Sequence, residues 1–357
     1  MKLYVRFITK EFLKSLTYVF FIMFSLILIL NILSEFEFFR DKEVKTIFPV
    51  YMSILNSPDL IFEMFPFIFL LTTQVFFINF FENNQIQIFK YSGLKNIKIL
   101  LILVINSIFI GLVIITFFYN FSSYLKGHYI QLKSKYSTND EYLAVVTKNG
   151  LWIKDVVEEK IYIINANEIK DNYIVNVFIS EFNKNFELIR NIKSNKIDIS
   201  KKEWNLYDVK IFKEYNSKER DSLILKSNFD IQIVRNLFSN LSTQSIYKLL
   251  ELRKNYISLN YSTVEIDIQI QKILTYPIYL ALMTVLSGII MFNTKRYKNS
   301  TFKIVLGLFL SVIIYYLINF FHVLGESEKV PVLFSILLPL FLLFLVNTIM
   351  ILKMNEK

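Results

Sequence analysis

Six blocks of apolar sequence punctuate the chain, at 16–33, 60–81, 99–119, 273–292, 304–321 and 332–352. Each holds about 20 residues, the length a helix needs to cross a hydrocarbon layer about 30 Å thick. The first block follows Lys2, Arg6, Lys10 and Lys14, spaced about one helical turn apart, and leaves through Asn31 and Glu35. A cleaved signal peptide would have a shorter core and small residues at its exit, so this block is read as an uncleaved span. Only residues 82–98 separate the second and third blocks, which must therefore form a hairpin. In that link Ile86, Phe89 and Gly93 recur at helical spacing on one side, while Gln85, Gln87 and Lys90 lie elsewhere. The spacing predicts a short surface helix over 82–93, stopped at Ser92-Gly93. Two readings of it stand open: an interfacial turn with its Ile and Phe in lipid, or a docking element gripped by a soluble partner.

A polar insert of about 150 residues, the size of one domain, lies between the third and fourth blocks. Val175, Val177 and Ile179 alternate with Asn176, Phe178 and Ser180, and Phe229, Ile231 and Ile233 alternate with Asp230, Gln232 and Val234. Shorter strand-like runs occur at 151–154, 160–165, 186–192, 196–199 and 204–212. Many short strands without intervening helices predict an antiparallel sandwich or roll. At 245–257 the period changes, with Ile246, Leu249, Leu250, Arg253 and Ile257 on one helical face. The plan is an N-terminal membrane half (1–120), a β domain (121–243), a connecting helix and linker (244–272) and a C-terminal membrane half (273–357). Pro277 predicts a kink in the fourth block.

Charge fixes an orientation. Lys90, Lys95 and Lys98, then Lys295, Arg296, Lys298 and Lys303, then Lys353 and Lys357, fall on the side of the N-terminus if the spans alternate. On the other side Glu35, Glu37, Asp41, Glu43 and Asp59 offset Arg40, Lys42 and Lys45, and a short loop carries Glu326 and Glu328. The positive-inside rule then puts both termini in the cytoplasm and the insert outside. The net charge of +10 does not call for nucleic acid, because the cations gather at the ends of apolar blocks. With no cysteine, disulfide and thiol chemistry are excluded.

Catalytic motifs are missing. No glycine-rich loop precedes Lys-Ser or Lys-Thr, so the chain has no phosphate-binding loop for ATP. His128 and His322 are isolated, and the carboxylate pairs Glu158/Glu159 and Glu35/Glu37 sit in polar loops where solvation is the default. Neither enzyme activity, metal nor cofactor is expected. Within the apolar blocks, Asn31, Gln74, Asn79, Asn106 and Asn319 should face other helices or a cavity, with interhelical hydrogen bonding the plain explanation. Phe24, Leu28, Asn31 and Glu35 share one face of the first span, with Ile27 turned away, a profile that suits an amphiphile. A secondary transporter would place ionisable groups at mid-membrane, and none is read there. A membrane-anchored sensor remains a third class.

Several short segments, in this order and spacing, resemble the LptF/LptG permease family of lipopolysaccharide export. They are Tyr4-Val-Arg-Phe-Ile-Thr-Lys10, Ser57-Pro58 with Phe65-Pro66, Tyr91-Ser92-Gly93-Leu94, Gly150-Leu-Trp-Ile-Lys-Asp155, Lys202-Glu-Trp-Asn-Leu206, and Val330-Pro331 leading to Leu337-Leu-Pro339. The Gly-Leu-Trp-Ile-Lys-Asp segment and the Val-Pro loop lean toward the LptG branch. The resemblance implies a six-span permease with a periplasmic β-jellyroll, paired with an LptF-like permease. It also implies two LptB-like ATPase copies, LptC-like and LptA-like periplasmic proteins, and lipopolysaccharide as cargo. Carried onto this sequence, Glu82, Gln85, Ile86, Phe89, Ser92 and Gly93 would couple to the ATPase. Phe24, Leu28, Asn31, Tyr315 and Asn319 would line the lipid cavity, and Glu35, Arg40, Lys42, Lys45 and Lys126 would meet the headgroup. Two departures stand out: the family's Arg-x-Glu at the coupling helix is here Asn83 and Gln85, and its basic residue on the outer part of span one is here Asn31.

Overall fold

The computed structural model describes residues 3–136, 151–170, 172–213, 216–231, 234, 240–258, 261–292 and 300–355. Lys2, Gly150, Gln232, Ile233, Lys295, Arg296, Lys298 and Lys357, named above, lie outside the described residues, as does the side chain of Lys90. The chain forms α1 (Leu3–Phe38), α2 (Phe48–Glu82), α3 (Gln85–Tyr91) and α4 (Asn96–Val113), which runs through a π-helical turn (Ile114–Phe118) into α5 (Tyr119–Ser134). Six strands follow, then α6 (Ile246–Ser258), α7 (Val264–Phe292), α8 (Ser300–Glu326) and α9 (Val332–Asn355). Among the described residues, six helices are long and apolar enough to cross a membrane, with α4 and α5 together forming the third.

The helices outrun the apolar blocks. Most notably, α2 begins at Phe48 and not at 60, so the expected connection at 34–59 shrinks to the residues between α1 and α2. The extra turns interrupt apolar residues with Ser53, Asn56, Ser57 and Asp59, and the serines are satisfied locally: Ser53 Oγ donates to Pro49 O at 2.9 Å and Ser57 Oγ to Ser53 O at 2.6 Å. Such back-bonding lets a helix continue through serines that lower the hydropathy signal.

α2 is buried on most sides. Toward α1 it presents Phe65, Phe69, Phe76 and Phe80, which meet Phe20, Phe12 and Phe7 at ring-centroid distances of 6.1–6.4 Å. Toward α7 it carries Pro66, whose missing N–H leaves the carbonyl of Phe62 without its helical donor. The Tyr276 hydroxyl donates to that carbonyl, and its ring stacks on Phe62 at 4.6 Å. Ser287 Oγ donates to Leu70 O at 2.7 Å, Ser107 and Thr284 hydroxyls meet at 2.8 Å, and Asn347 Nδ2 donates to Leu282 O at 3.0 Å. Gln74 Nε2 reaches Lys303 O on α8 at 2.8 Å, and Asn106 Nδ2 reaches Thr9 Oγ1 at 3.0 Å. Asn31, Gln74 and Asn106 therefore bond across helices, whereas Asn79 is exposed and Asn319 half-buried. α7 runs unbroken through Pro277, against which α4 packs tightly: a Cβ on Gly111 would lie 2.8 Å from Pro277 Cα.

Two compact units result, Met1–Tyr129 with Val264–Lys357, and Ile130–Thr263. In the second, β1 (Leu151–Val157), β2 (Lys160–Lys170), β3 (Tyr173–Phe182), β4 (Leu188–Asp198), β5 (Glu203–Lys213) and β6 (Asn216–Lys226) form one antiparallel sheet in sequential order. Its cross-strand rows include Ile153, Ile164, Ile179, Ile192 and Ile211, and Ile174, Ile197, Leu206 and Leu223. The strict alternation expected from Val175 to Ile179 does not hold. Ile174 points inward, then Val177 and Ile179, so the inward phase slips at Asn176. It slips likewise in β4 between Ser194 and Ile197 and in β5 between Leu206 and Val209. Pairing skips Asn167, Asn176, Asn195, Asp208 and Asp221, which line up across β2 to β6. Asn176 and Asp208 adopt left-handed φ of 53° and 52°. Asn and Asp tolerate that conformation best after glycine, so this row creases the sheet and lets it curl around a single core.

Three strand expectations change. The runs 186–192 and 196–199 belong to the single strand β4. β6 gave no alternation because only Leu225 among its side chains is buried. Phe229 and Ile231 do not form a strand; Phe229 plugs the core at 0% exposure, its carbonyl taking the Trp204 indole N–H at 2.8 Å. The turn before it is held by buried Asp155, which accepts from Ser227 Oγ at 2.7 Å, Asn228 Nδ2 at 2.8 Å and Asn228 N at 3.1 Å.

Glu181, 1% exposed, pairs with Lys160 Nζ at 2.9 Å and with Arg190 Nε. Burial alone would raise its carboxyl, but the hydrogen bonds from Lys160 and Arg190 outweigh burial and hold it below the ordinary glutamate value. A lowered carboxylate stabilises the folded domain fully above that ordinary value and loses the contribution as acidification carries pH through the lowered one. Glu181→Gln is expected to cost about 1–3 kcal/mol and to flatten the acid limb of the domain's stability, read by hydrogen exchange of the strands in the full chain. An unchanged acid limb would show that the pair contributes nothing.

Candidate functional site: a surface helix and a polar collar

The link between α2 and α4 holds a seven-residue helix, shorter than the span 82–93 expected; Glu82 closes α2 instead. Asn84, at φ 56°, makes the turn into α3. Gly93 ends it at φ 79°, and Leu94 N donates to Phe89 O at 2.9 Å, the six-to-one bond of a glycine-terminated helix. Ser92 Oγ back-bonds to Ile88 O at 3.0 Å, and Gln85 is half-buried.

Sequence spacing put Ile86 and Phe89 on one face, and the structure gives that face its task. Ile86 is buried, and the Phe89 ring stacks on Phe80 of α2 at 5.6 Å and 4° and lies 6.0 Å from Phe7 of α1. These two side chains fasten α3 to two spans and do not form its free surface. Ile88, 61% exposed, and Tyr91, 89% exposed, present the opposite face. Neither residue was singled out from the sequence, although their alternation with Ile86 and Phe89 carried the signal.

At the far end of α2 a polar collar ties three helices together. Asn31 Nδ2 donates to Ser53 O at 3.0 Å, and Asn56 Nδ2 returns a bond to Asn31 Oδ1 at 3.1 Å. Lys126 Nζ on α5 donates to Asn56 Oδ1 at 2.6 Å and pairs with Asp59 at 3.3 Å. Tyr129 OH donates to buried Glu35 at 2.7 Å. Of the expected headgroup residues, Glu35 and Lys126 are thus engaged inside the protein, Lys42 lies 3.2 Å above the Phe38 ring, and Arg40 and Lys45 are exposed.

The expected cavity residues divide into two groups. Phe24 and Leu28 are half-buried on α1, with Phe24 stacked on Phe20 at 6.2 Å, while Tyr315 on α8 lies 5.8 Å from Phe67 and Asn319 is one turn further along. Ile27, expected to point away, is buried at 6% exposure, since α1 packs through Val19, Ile27, Asn31 and Glu35. Asn31 shares that packed seam, so its side chain serves α2. Between the faces that meet α1 and α8, α2 leaves one stripe only partly covered, with Glu63 and Met64 exposed and Leu60, Phe67, Leu71 and Val75 half-buried. Glu63 was missed in the sequence because it stands one turn inside the second apolar block. Among the described residues no group of His, Cys, Asp and Glu could hold a metal ion.

Phe89→Ala should cost about 1–3 kcal/mol of local packing and make the link at 82–98 cleave faster in limited proteolysis of the full chain. Ile88→Ala should leave cleavage unchanged, and equal protection in both variants would refute the one-sided anchoring.

A search of curated proteins gives no match. A family model described as lipopolysaccharide export system permease LptF/LptG matches residues 6–353, nearly the whole chain. Six spans interrupted after the third by an antiparallel sheet agree with that match. The chain therefore belongs to the LptF/LptG family of lipopolysaccharide export permeases, multi-pass proteins of the inner membrane.

Proposed function

We propose that this chain is the LptG-type half of an ABC exporter that lifts lipopolysaccharide from the outer leaflet of the inner membrane toward a periplasmic bridge. A separate cytoplasmic ATPase, in two copies, would supply the energy, with an LptF-like permease as partner and LptC-like and LptA-like proteins receiving the lipid. Both termini and α3 would lie in the cytoplasm and the strand domain in the periplasm, as the distribution of Lys and Arg favours. The chain itself would perform no catalysis, and its sequence offers no phosphate-binding loop.

One observation carries this reading: α3 is clamped on one face to the adjoining ends of α1 and α2, and bare on the other. A partner pressing on Ile88 and Tyr91 would move Phe89, and with it Phe80 and Phe7, as a unit. Movement of the α1 and α2 ends would change the width of the stripe between α1 and α8. A groove that narrows expels an amphiphile if the narrow state binds it less well. Asn83 and Gln85 offer neutral groups where the family carries a charge pair, so apolar contact must dominate the ATPase interface here. Arg40 and Lys45, exposed in the link between α1 and α2, would supply cations for lipid phosphates.

Tyr91→Asp or Ile88→Asp should cut ATPase recovery at least about tenfold, the loss of one buried apolar anchor, when the complex is purified through this chain. Recovery of the second permease and membrane insertion should be unaffected. Full ATPase recovery by both variants would contradict docking at α3.

A further inference from the structure

The partly covered stripe of α2 is apolar except at one position, Glu63, which is exposed. Met64, Phe67, Leu71 and Val75 give way to Glu63, and beyond it come the collar residues Asp59 and Asn56. Asp59 has its cation in Lys126 at 3.3 Å. Glu63, one turn along and on the open stripe, makes no hydrogen bond or ion pair among the described residues. Lys272 of α7 and, more weakly, Lys126 act on it electrostatically from beyond ion-pair distance, with Asp59 opposing them, and Lys272 acts on Asp59 and His322 as well. A carboxylate in a span is costly unless it faces a partner, a cavity or a charge of opposite sign. Here it stands where acyl-compatible surface meets polar surface, the level at which an amphiphile's head must sit.

An anionic headgroup at that level would be repelled by an unpaired carboxylate, so Glu63 works against export unless the headgroup brings positive charge with it. We propose that Glu63 is a specificity residue that accepts a cationic group carried by the lipid head, either an amine on its phosphates or a divalent cation bridging them. The inference rests on the export reading and deepens it by assigning the charge state of the cargo. Phosphate oxygens would be met by Lys272 and the cationic group by Glu63, so the site reads a head of mixed charge and disfavours a bare polyanion. The short ammonium–carboxylate or metal–carboxylate contact formed is stronger than one between neutral groups.

The test uses the complex purified through the full chain and measures retention of lipopolysaccharide in three forms: phosphates substituted with amine, unsubstituted with magnesium, and unsubstituted with chelator. Glu63→Gln should weaken retention about tenfold in at least one of the first two and leave the third unchanged, with Glu63→Asp restoring part of the loss. A loss confined to the amine form identifies an amine as occupant, and one confined to magnesium identifies the metal. Unchanged or uniformly tighter retention by Glu63→Gln would overturn the assignment and leave the export reading standing. No retention of any form by the wild-type complex would overturn both.

Discussion

Hydrocarbon offers no hydrogen bonds, so each polar group drawn into the membrane must find its partner in the protein. That constraint explains why α2 is the helix on which the membrane unit leans. Its prolines free carbonyls, its serines and asparagines add polar atoms, and each of its neighbours answers some of them. Tyr276 takes the carbonyl freed by Pro66, Ser287 takes that of Leu70, and Asn31 and Lys126 take the polar groups of its first turns. Dispersion along the phenylalanine seam with α1 then adds attraction that the lipid cannot match by shape.

In the proposed mechanism, a helix so thoroughly held would move as a body. At about 50 Å long, α2 links the Phe80–Phe89 stack at one end to the Asn31–Asn56–Lys126 collar at the other. Its partly covered stripe lies between these two attachments. A displacement applied through α3 would pass to α2 by the packing of Phe89 on Phe80. Under the proposed mechanism, binding and force would act on separate surfaces of this one helix.

Much of the fold could be read in the sequence because its signals are long. Blocks of about 20 apolar residues mark spans almost without regard to context, and Gly93 marked the stop of α3. What escaped notice depended on partners distant in the chain. α2 starts early because Ser53 and Ser57 bond back to their own helix, which hydropathy counts against it. β6 buries a single side chain in the sheet's core, so no alternation betrays it, while Phe229 and Ile231 mimic a strand because a plug residue and its neighbour happen to be two apart. The row of Asn and Asp that creases the sheet is visible only once register is known. At the site, Ile86 and Phe89 were found but their direction was not, since which face of α3 is covered depends on Phe7 and Phe80. Asn31 was legible as a buried polar group, and its partner Asn56 was not.

The proposed mechanism stands on one requirement: α3 must lie in the cytoplasm and the strand domain in the periplasm. Because the chain has no cysteine, single cysteines at Tyr91 and at Lys210 in β5 can be labelled separately with a membrane-impermeant maleimide in intact spheroplasts. Labelling at Lys210 only, with Tyr91 reacting after the membrane is breached, is the expected result; labelling of both in intact spheroplasts would contradict it.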